Sequence, residues 1–301
     1  MYGDGYIART TGDIVVSASS NVFRPSANNT LNLGSVTSSF RNIYASGTIA
    51  FGTASGSALN LVNPVFTLAT SSNFTTFPTG VAVRNNIAYL ADSNFVALDV
   101  SNPSNPTLIS TLASVNASDL TLAGDYAYVA ADGLKIIDIS RPGRPVQVGY
   151  YANGLGSTKP VISGQYAYMG GQDFQIVDIS SPTAPTSTAI VTLTGSVGGV
   201  DVQGKFAYVA NDTTFRIYDI TDPSNPTATG TLGGFNNLGT VIVSGQYAYV
   251  VNDGADVVSI DISNPAAPVS LDTYSTVISL QLNDSTLSGR YLYLSKHDDG
   301  I

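Results

Sequence analysis

One pattern recurs five times along this 301-residue chain, at a spacing of about 40 residues, and it constrains the fold more than any other feature. A representative copy runs Gly124-Asp125-Tyr126-Ala127-Tyr128, continues through Leu134-Lys135-Ile136-Ile137-Asp138-Ile139-Ser140 and closes on Pro142-Gly143-Arg144-Pro145. Its second tyrosine returns at Tyr89, Tyr168, Tyr208 and Tyr249, and its aspartate at Asp99, Asp178, Asp219 and Asp261. Its proline pair returns at Pro103/Pro106, Pro182/Pro185, Pro223/Pro226 and Pro265/Pro268. A fixed period of roughly 20–50 residues signals a repeat architecture, in which each unit buries its apolar faces against its neighbours.

The copy at 119–151 predicts four strands. Leu120-Thr121-Leu122 is short and apolar at alternate positions, and Gly124-Asp125 makes a tight turn. Tyr126-Ala127-Tyr128-Val129-Ala130 is rich in strand formers. Asp132-Gly133 signals a hairpin, since both residues tolerate positive φ. Residues 134–139 form a third strand, apolar on both faces except at Asp138, and 146–150 form a fourth beyond the prolines. Val83, Leu122, Ile162, Val202 and Val243 each precede the second tyrosine by six residues. The turn glycine is Gly124, Gly164, Gly204 or Gly245, and Asn85-Asn86 replaces it in the first copy, where asparagine best substitutes for glycine in the left-handed region. Four antiparallel strands at this period are the blade of a β-propeller. The expected fold is all-β, a propeller of six or more four-stranded blades over residues 61–301, preceded by a small β-rich segment at 1–60.

Composition narrows the chemistry. All 21 acidic residues are aspartate, and strong helix formers are scarce, so almost no helix is expected. Without cysteine, disulfides, thiolate catalysis and Cys-ligated zinc are excluded. His297 is the sole histidine, so a multi-histidine metal site is excluded and any Ser-His-Asp triad would have to use it. Twelve basic residues against a net charge of −9 make nucleic acid and anionic membranes poor partners. No stretch approaches the roughly 20 apolar residues that span a bilayer, and Met1-Tyr2-Gly3-Asp4-Gly5 lacks a signal-peptide layout.

Ile176-Val177-Asp178-Ile179-Ser180-Ser181-Pro182-Thr183-Ala184-Pro185 resembles the signature of the LVIVD-repeat propellers, and five copies agree with it in motif, order and spacing over about residues 62–301. The match to WD40 repeats is poorer, for want of Trp-Asp, and so is the match to kelch repeats, whose period is longer.

A sixth copy begins near Ile278. Leu287-Ser288-Gly289-Arg290-Tyr291-Leu292-Tyr293 aligns with the 243–249 stretch of the fifth, and Ile301 would start its third strand. Asn63-Pro64-Val65-Phe66-Thr67-Leu68 looks like a fourth strand with no blade before it, suited to pair with the last blade. The expectation is that the natural protein continues past Ile301. Residues 1–60 are rich in Ser, Thr, Asn, Gly and Ala, with brief apolar runs at Asp13-Ile14-Val15-Val16, Thr30-Leu31-Asn32-Leu33 and Thr48-Ile49-Ala50-Phe51. Within them, Leu33-Gly34-Ser35-Val36-Thr37-Ser38-Ser39-Phe40-Arg41-Asn42-Ile43-Tyr44-Ala45 resembles a motif of phage tail fibres and large bacterial surface proteins, where such segments form trimeric β shafts. A Ser/Thr-rich linker is the other reading.

Several residues invite a chemical role. The strand aspartates could form a ring of ligands or general acids, or accept hydrogen bonds from the amides of the following turn, as Asp does in Asx turns. The pairs Tyr126/Tyr128 and Tyr166/Tyr168 could stack sugars or pack blade on blade. The Pro-x-x-Pro segments could be SH3 ligands or fixed turns. Asp253-Gly254-Ala255-Asp256 and Asp298-Asp299-Gly300 could offer oxygens to calcium, but both stand where a hairpin turn is expected. Arg141 and Arg144 could hold an anion, and His297 lies in the last hairpin turn. The structural role is the expected one in each case, so no catalytic, cofactor-binding or metal-binding residue is assigned and no cofactor is expected.

The functional expectation is a non-enzymatic extracellular or cell-surface module, virion-associated in one version. It would bind glycan or protein through its blade loops or channel and oligomerise, as a trimer if the shaft resemblance holds, through the N-terminal segment, without nucleic acid or membrane insertion. The alternatives are an Asp-dependent glycan hydrolase or lyase and a periplasmic envelope scaffold. Specificity is expected where the copies disagree: Gly154-Leu155-Gly156, Gly233-Gly234-Phe235 and His297-Asp298-Asp299.

Overall fold

The computed structural model describes residues 78–152, 158–252, 256–275, 282–289 and 291–296. The expectations for residues 1–60, the strand at 63–68, the loop at 154–156, Asp253 and the turn at 297–300 lie outside the described residues. Among the described residues there is no helix.

Five four-stranded antiparallel sheets follow one another along the chain, each a meander in sequence order. The first holds β1 (Gly80–Arg84), β2 (Ile87–Ala91), β3 (Phe95–Asp99) and β4 (Thr107–Leu112). The second holds β5 (Asp119–Ala123), β6 (Tyr126–Ala130), β7 (Gly133–Asp138) and β8 (Val146–Ala152). The third holds β9 (Val161–Ser163), β10 (Tyr166–Met169), β11 (Phe174–Asp178) and β12 (Thr186–Val191). The fourth holds β13 (Val197–Gln203), β14 (Phe206–Asn211), β15 (Thr214–Asp219) and β16 (Thr227–Gly233), and the fifth β17 (Leu238–Ser244), β18 (Tyr247–Asn252), β19 (Asp256–Asp261) and β20 (Val269–Ser275). β21 (Leu282–Ser288) and β22 (Tyr291–Lys296) pair as a two-stranded sheet. The first strands of successive sheets are neighbours and enclose a central cavity, which is the arrangement of propeller blades.

The core lies in the seams between blades. One face of the first blade (Tyr89, Ala91, Phe95, Ala97) packs on Ala127, Val129, Ile137 and Ile139 of the second. Tyr128, Leu134 and Ile136 pack on Ala167, Met169, Val177 and Ile179 of the third. Tyr168, Phe174 and Ile176 pack on the fourth blade, and Tyr208, Phe215 and Ile217 on the fifth. The second tyrosine is thus a seam residue. Tyr89, Tyr128, Tyr168 and Tyr208 are 2–5% exposed, and Tyr126/Tyr128 and Tyr166/Tyr168 meet edge to face with centroids 6.4 and 6.5 Å apart. Burial pushes all four phenols above their ordinary pKa, so they stay neutral.

Two features were not anticipated. All five fourth strands carry a β-bulge at one phase, where Ile109, Val148, Thr188, Thr229 and Leu271 are the extra residues. Beside the bulge, the chain meets the proline turn of the next blade: the Ser110 hydroxyl donates to the Pro142 carbonyl at 2.6 Å. At the same phase Gly149 and Gly230 lie against the carbonyls of Pro182 and Pro265, where a Cβ would collide with the oxygen. The second feature concerns the hairpin that Asp132-Gly133 predicts, which joins β6 to β7 as expected but by another backbone route. Neither Asp132 nor Gly133 has positive φ. Gly133 instead opens β7 so close to β8 that a Cβ would strike the Tyr151 carbonyl, and close approach is what requires glycine there. The first turn is as expected, with Gly124, Gly164, Gly204 and Gly245 at φ of 53–63°, and Asn85 and Asn86 at 52° and 61°.

Candidate functional site: the connector end and the channel

A meander of four strands gives the propeller two unlike ends. One carries the turn between the first two strands and the proline turn. The other carries the hairpin between the second and third strands and the connector to the next blade. At the turn end, the strand aspartates do the same thing in every blade. Oδ1 of Asp99, Asp138, Asp178, Asp219 and Asp261 accepts the amide two residues on, from Ser101, Ser140, Ser180, Thr221 and Ser263, each at 2.8 Å. Hydrogen bonds from the hydroxyl and then the amide of those residues hold the carboxyls below their ordinary range. Asp219, which also meets Lys205 Nζ at 2.9 Å, is drawn down to about 2. The proline segments close as turns, with the Arg144 amide donating to the Arg141 carbonyl at 2.8 Å and equivalent bonds in all the other copies. Arg141 and Arg144 are exposed on that turn.

The connector end differs from blade to blade. Ser114 and Asn116 both take left-handed φ, at 62° and 50°, and hold the buried Val115 between them. Lys135 Nζ reaches the Val115 carbonyl at 2.7 Å, lies 3.7 Å from Asp132 and sits 5.8 Å from the centre of the Tyr150 ring. The Tyr150 hydroxyl donates to Asp132, which lowers the carboxyl and raises the phenol. In the fourth blade the same third-strand position is Arg216, whose Nε donates to Asn211 Oδ1 at 3.0 Å. Asn211 Nδ2 faces the carbonyls of Thr194, Gly195 and Ser196 at 3.1–3.3 Å. A long polar side chain therefore fixes the connector from below in both blades. Sequence reading missed it, although a cation inside an otherwise apolar strand was the available signal. The Gly233-Gly234-Phe235 loop is ordered by the Phe235 amide, which donates to the Thr213 carbonyl at 3.2 Å, and by the Phe235 ring, which packs on the fourth seam. In the fifth blade, Asn252 Oδ1 accepts the amide of Asp256 at 3.0 Å.

The channel is a cavity of about 720 Å³ walled by β5, β9, β13, β17 and β21. The wall is tightest between β13 and β17, where a Cβ on Gly199 would lie 2.9 Å from Thr240 Cα. Asp119 opens β5 and Lys159 lies two residues before β9, both on the connector side, and Asp201 lies deeper. Asp201 is the cross-strand partner of Tyr208. Its Oδ1 accepts the Val202 amide at 2.8 Å and its Oδ2 the Val243 amide of the next blade at 2.7 Å. Burial pushes this carboxyl above its ordinary value, against the pull of the two amides. Among the described residues, no three acidic or histidine side chains gather as a metal cage would need.

The LVIVD-repeat model matches the chain five times, at residues 79–113, 115–153, 156–192, 194–232 and 238–276. No curated protein sequence matches it. Among solved structures, the β-propeller domain of Cps50 (Swd1) from Myceliophteria thermophila superposes with a TM-score of 0.62 at 13% identity, over 75% of this chain and 81% of that one. The periplasmic gluconolactonase PpgL of Pseudomonas aeruginosa gives 0.61 at 14% identity, over 75% and 80%. BamB of Moraxella catarrhalis gives 0.54 at 14% identity, over 73% and 70%. At such identities the likeness is one of fold alone.

Proposed function

Because the chain belongs to the LVIVD-repeat family, we propose that it is a non-enzymatic binding or structural module displayed outside the cell, offering its connector end to a glycan or a protein. The observation that carries this reading is the contrast between the two ends. The carboxylates that the repeat supplies do the same work in all five blades, each accepting a turn amide, which fits a structural role in the blade. The connector end instead presents loops that differ between copies and are braced from within by Lys135, Asn211 and Arg216. Rigid scaffolds carrying varied loops suit recognition. Residues 1–60 act in this reading as an oligomeric stalk. The test is to screen the purified full chain against glycan and protein arrays and intact cells. Saturable binding to one class supports the proposal, and an absence of binding to all of them overturns it.

A further inference from the structure

We propose that the channel is a separate site for a small organic ammonium ligand of amino-sugar size, with Asp201 as its charge partner. The repeat itself shows that the fold does not need an acid at this position. The cross-strand partner of the second tyrosine is Ala82, Thr121, Val161 and Ile242 in the other full blades, and Thr286 faces Tyr293 in the two-stranded sheet. Only the fourth blade places a carboxylate there.

That carboxylate is held for use. One amide on each oxygen fixes its plane across the seam of the fourth and fifth blades, and each oxygen keeps further acceptor capacity. Besides burial, the two neutral amides act on it, and its charge reaches the Tyr208 phenol across the strand pair. A desolvated carboxylate gains most from a cation that also donates hydrogen bonds. The charged side chains on the described lining are Asp119, Lys159 and Asp201, so Asp201 gives the wall a net negative charge of one.

Volume and lining choose the kind of cation. A space of about 720 Å³ falls within the roughly 300–1,000 Å³ of small-molecule sites. A bare calcium ion would need about six to eight converging oxygens, several of them charged. Here one deep carboxylate shares the wall with the hydroxyl residues Thr121, Thr240, Ser285 and Thr286 and the open backbone of Gly198, Gly199 and Gly239. This set matches an ammonium group joined to a hydroxylated body. Among the described residues no aromatic side chain lines the cavity, which sets this wall apart from a stacking platform for neutral sugars.

The experiment is calorimetric titration of the full chain with glucosamine, with glucose as the neutral control and calcium as a competitor. The expected result is one glucosamine per chain, at least tenfold tighter than glucose and not displaced by calcium. Asp201→Asn should weaken glucosamine at least tenfold without changing binding at the connector end. Asp201→Thr, the residue that blade two carries at this phase, supplies the same test if the asparagine variant does not fold. Equal affinity for the two sugars, no binding of glucosamine, displacement by calcium, or variants that bind like the wild type would each overturn the proposal.

Discussion

Asp201 and Val243 are joined across a blade seam: the carboxylate on β13 accepts the β17 amide at 2.7 Å. The contact sits where β13 and β17 approach so closely that Gly198 and Gly199 leave no room for a Cβ. Beside it, Gln203 grips the Gly245 peptide from both sides, at 2.8 Å to its oxygen and 2.9 Å from its nitrogen. Arg84 reaches the Gly124 carbonyl in the same way across the first seam. Side chains of the inner strands thus tie one blade to the next.

The two kinds of aspartate should pull the pH dependence of stability in opposite directions. The turn aspartates have folded-state pKa values below the ordinary 3.8, so their stabilisation is present above that value and is lost as pH falls through the folded one, about 2 for Asp219. Asp201 has a raised folded value, so its contribution is largest below 3.8 and is lost as pH rises through the folded value. Thermal melts from pH 2 to 7 should therefore show Asp219→Asn flattening the acid limb and Asp201→Asn flattening the limb above pH 4. The same slope in both variants as in the wild type would refute this assignment.

The glycines should separate by cause. Gly230→Ala forces a Cβ into the Pro265 carbonyl and should cost about 1–3 kcal/mol or more. Gly124 has open space around it but φ of +53°, so Gly124→Ala should cost only about 1 kcal/mol. Gly124→Asn should cost less than Gly124→Ala, because Asn85 and Asn86 already adopt that conformation in the first blade. Urea unfolding of the three variants gives the ranking.

Asn211 is 1% exposed and bridges Arg216 to the connector carbonyls. Asn211→Ala should leave buried polar groups unsatisfied and cost about 1–3 kcal/mol. Hydrogen exchange should rise locally at 194–197. Uniform exchange across the fourth blade would argue against a local brace.

The blade was legible because its turns are chemically narrow. Gly124 and its counterparts, the Asp-x-Ser turn and the proline pairs each force one local geometry, and five copies leave little freedom of register. The seams were not legible, because bulge and close approach depend on two blades at once. Ser110, Gly149, Ala189 and Gly230 each follow the second proline by four residues, and that run of small residues was the overlooked trace of the packing. Asp132-Gly133 marked its hairpin correctly, but the motif permits positive φ without requiring it. Asp201 went unmarked because its environment is made by Val243, 42 residues away.

The most direct test of the central claim, recognition at the connector end, is quantitative binding of the array-identified partner to two variants of the full chain. One replaces the 234–237 loop with a Gly-Ser linker of equal length, and the other carries Arg141→Ala and Arg144→Ala on the turn end. The account predicts at least tenfold weaker binding for the first and unchanged binding for the second. Loss in the turn-end variant with full binding in the loop variant would contradict it.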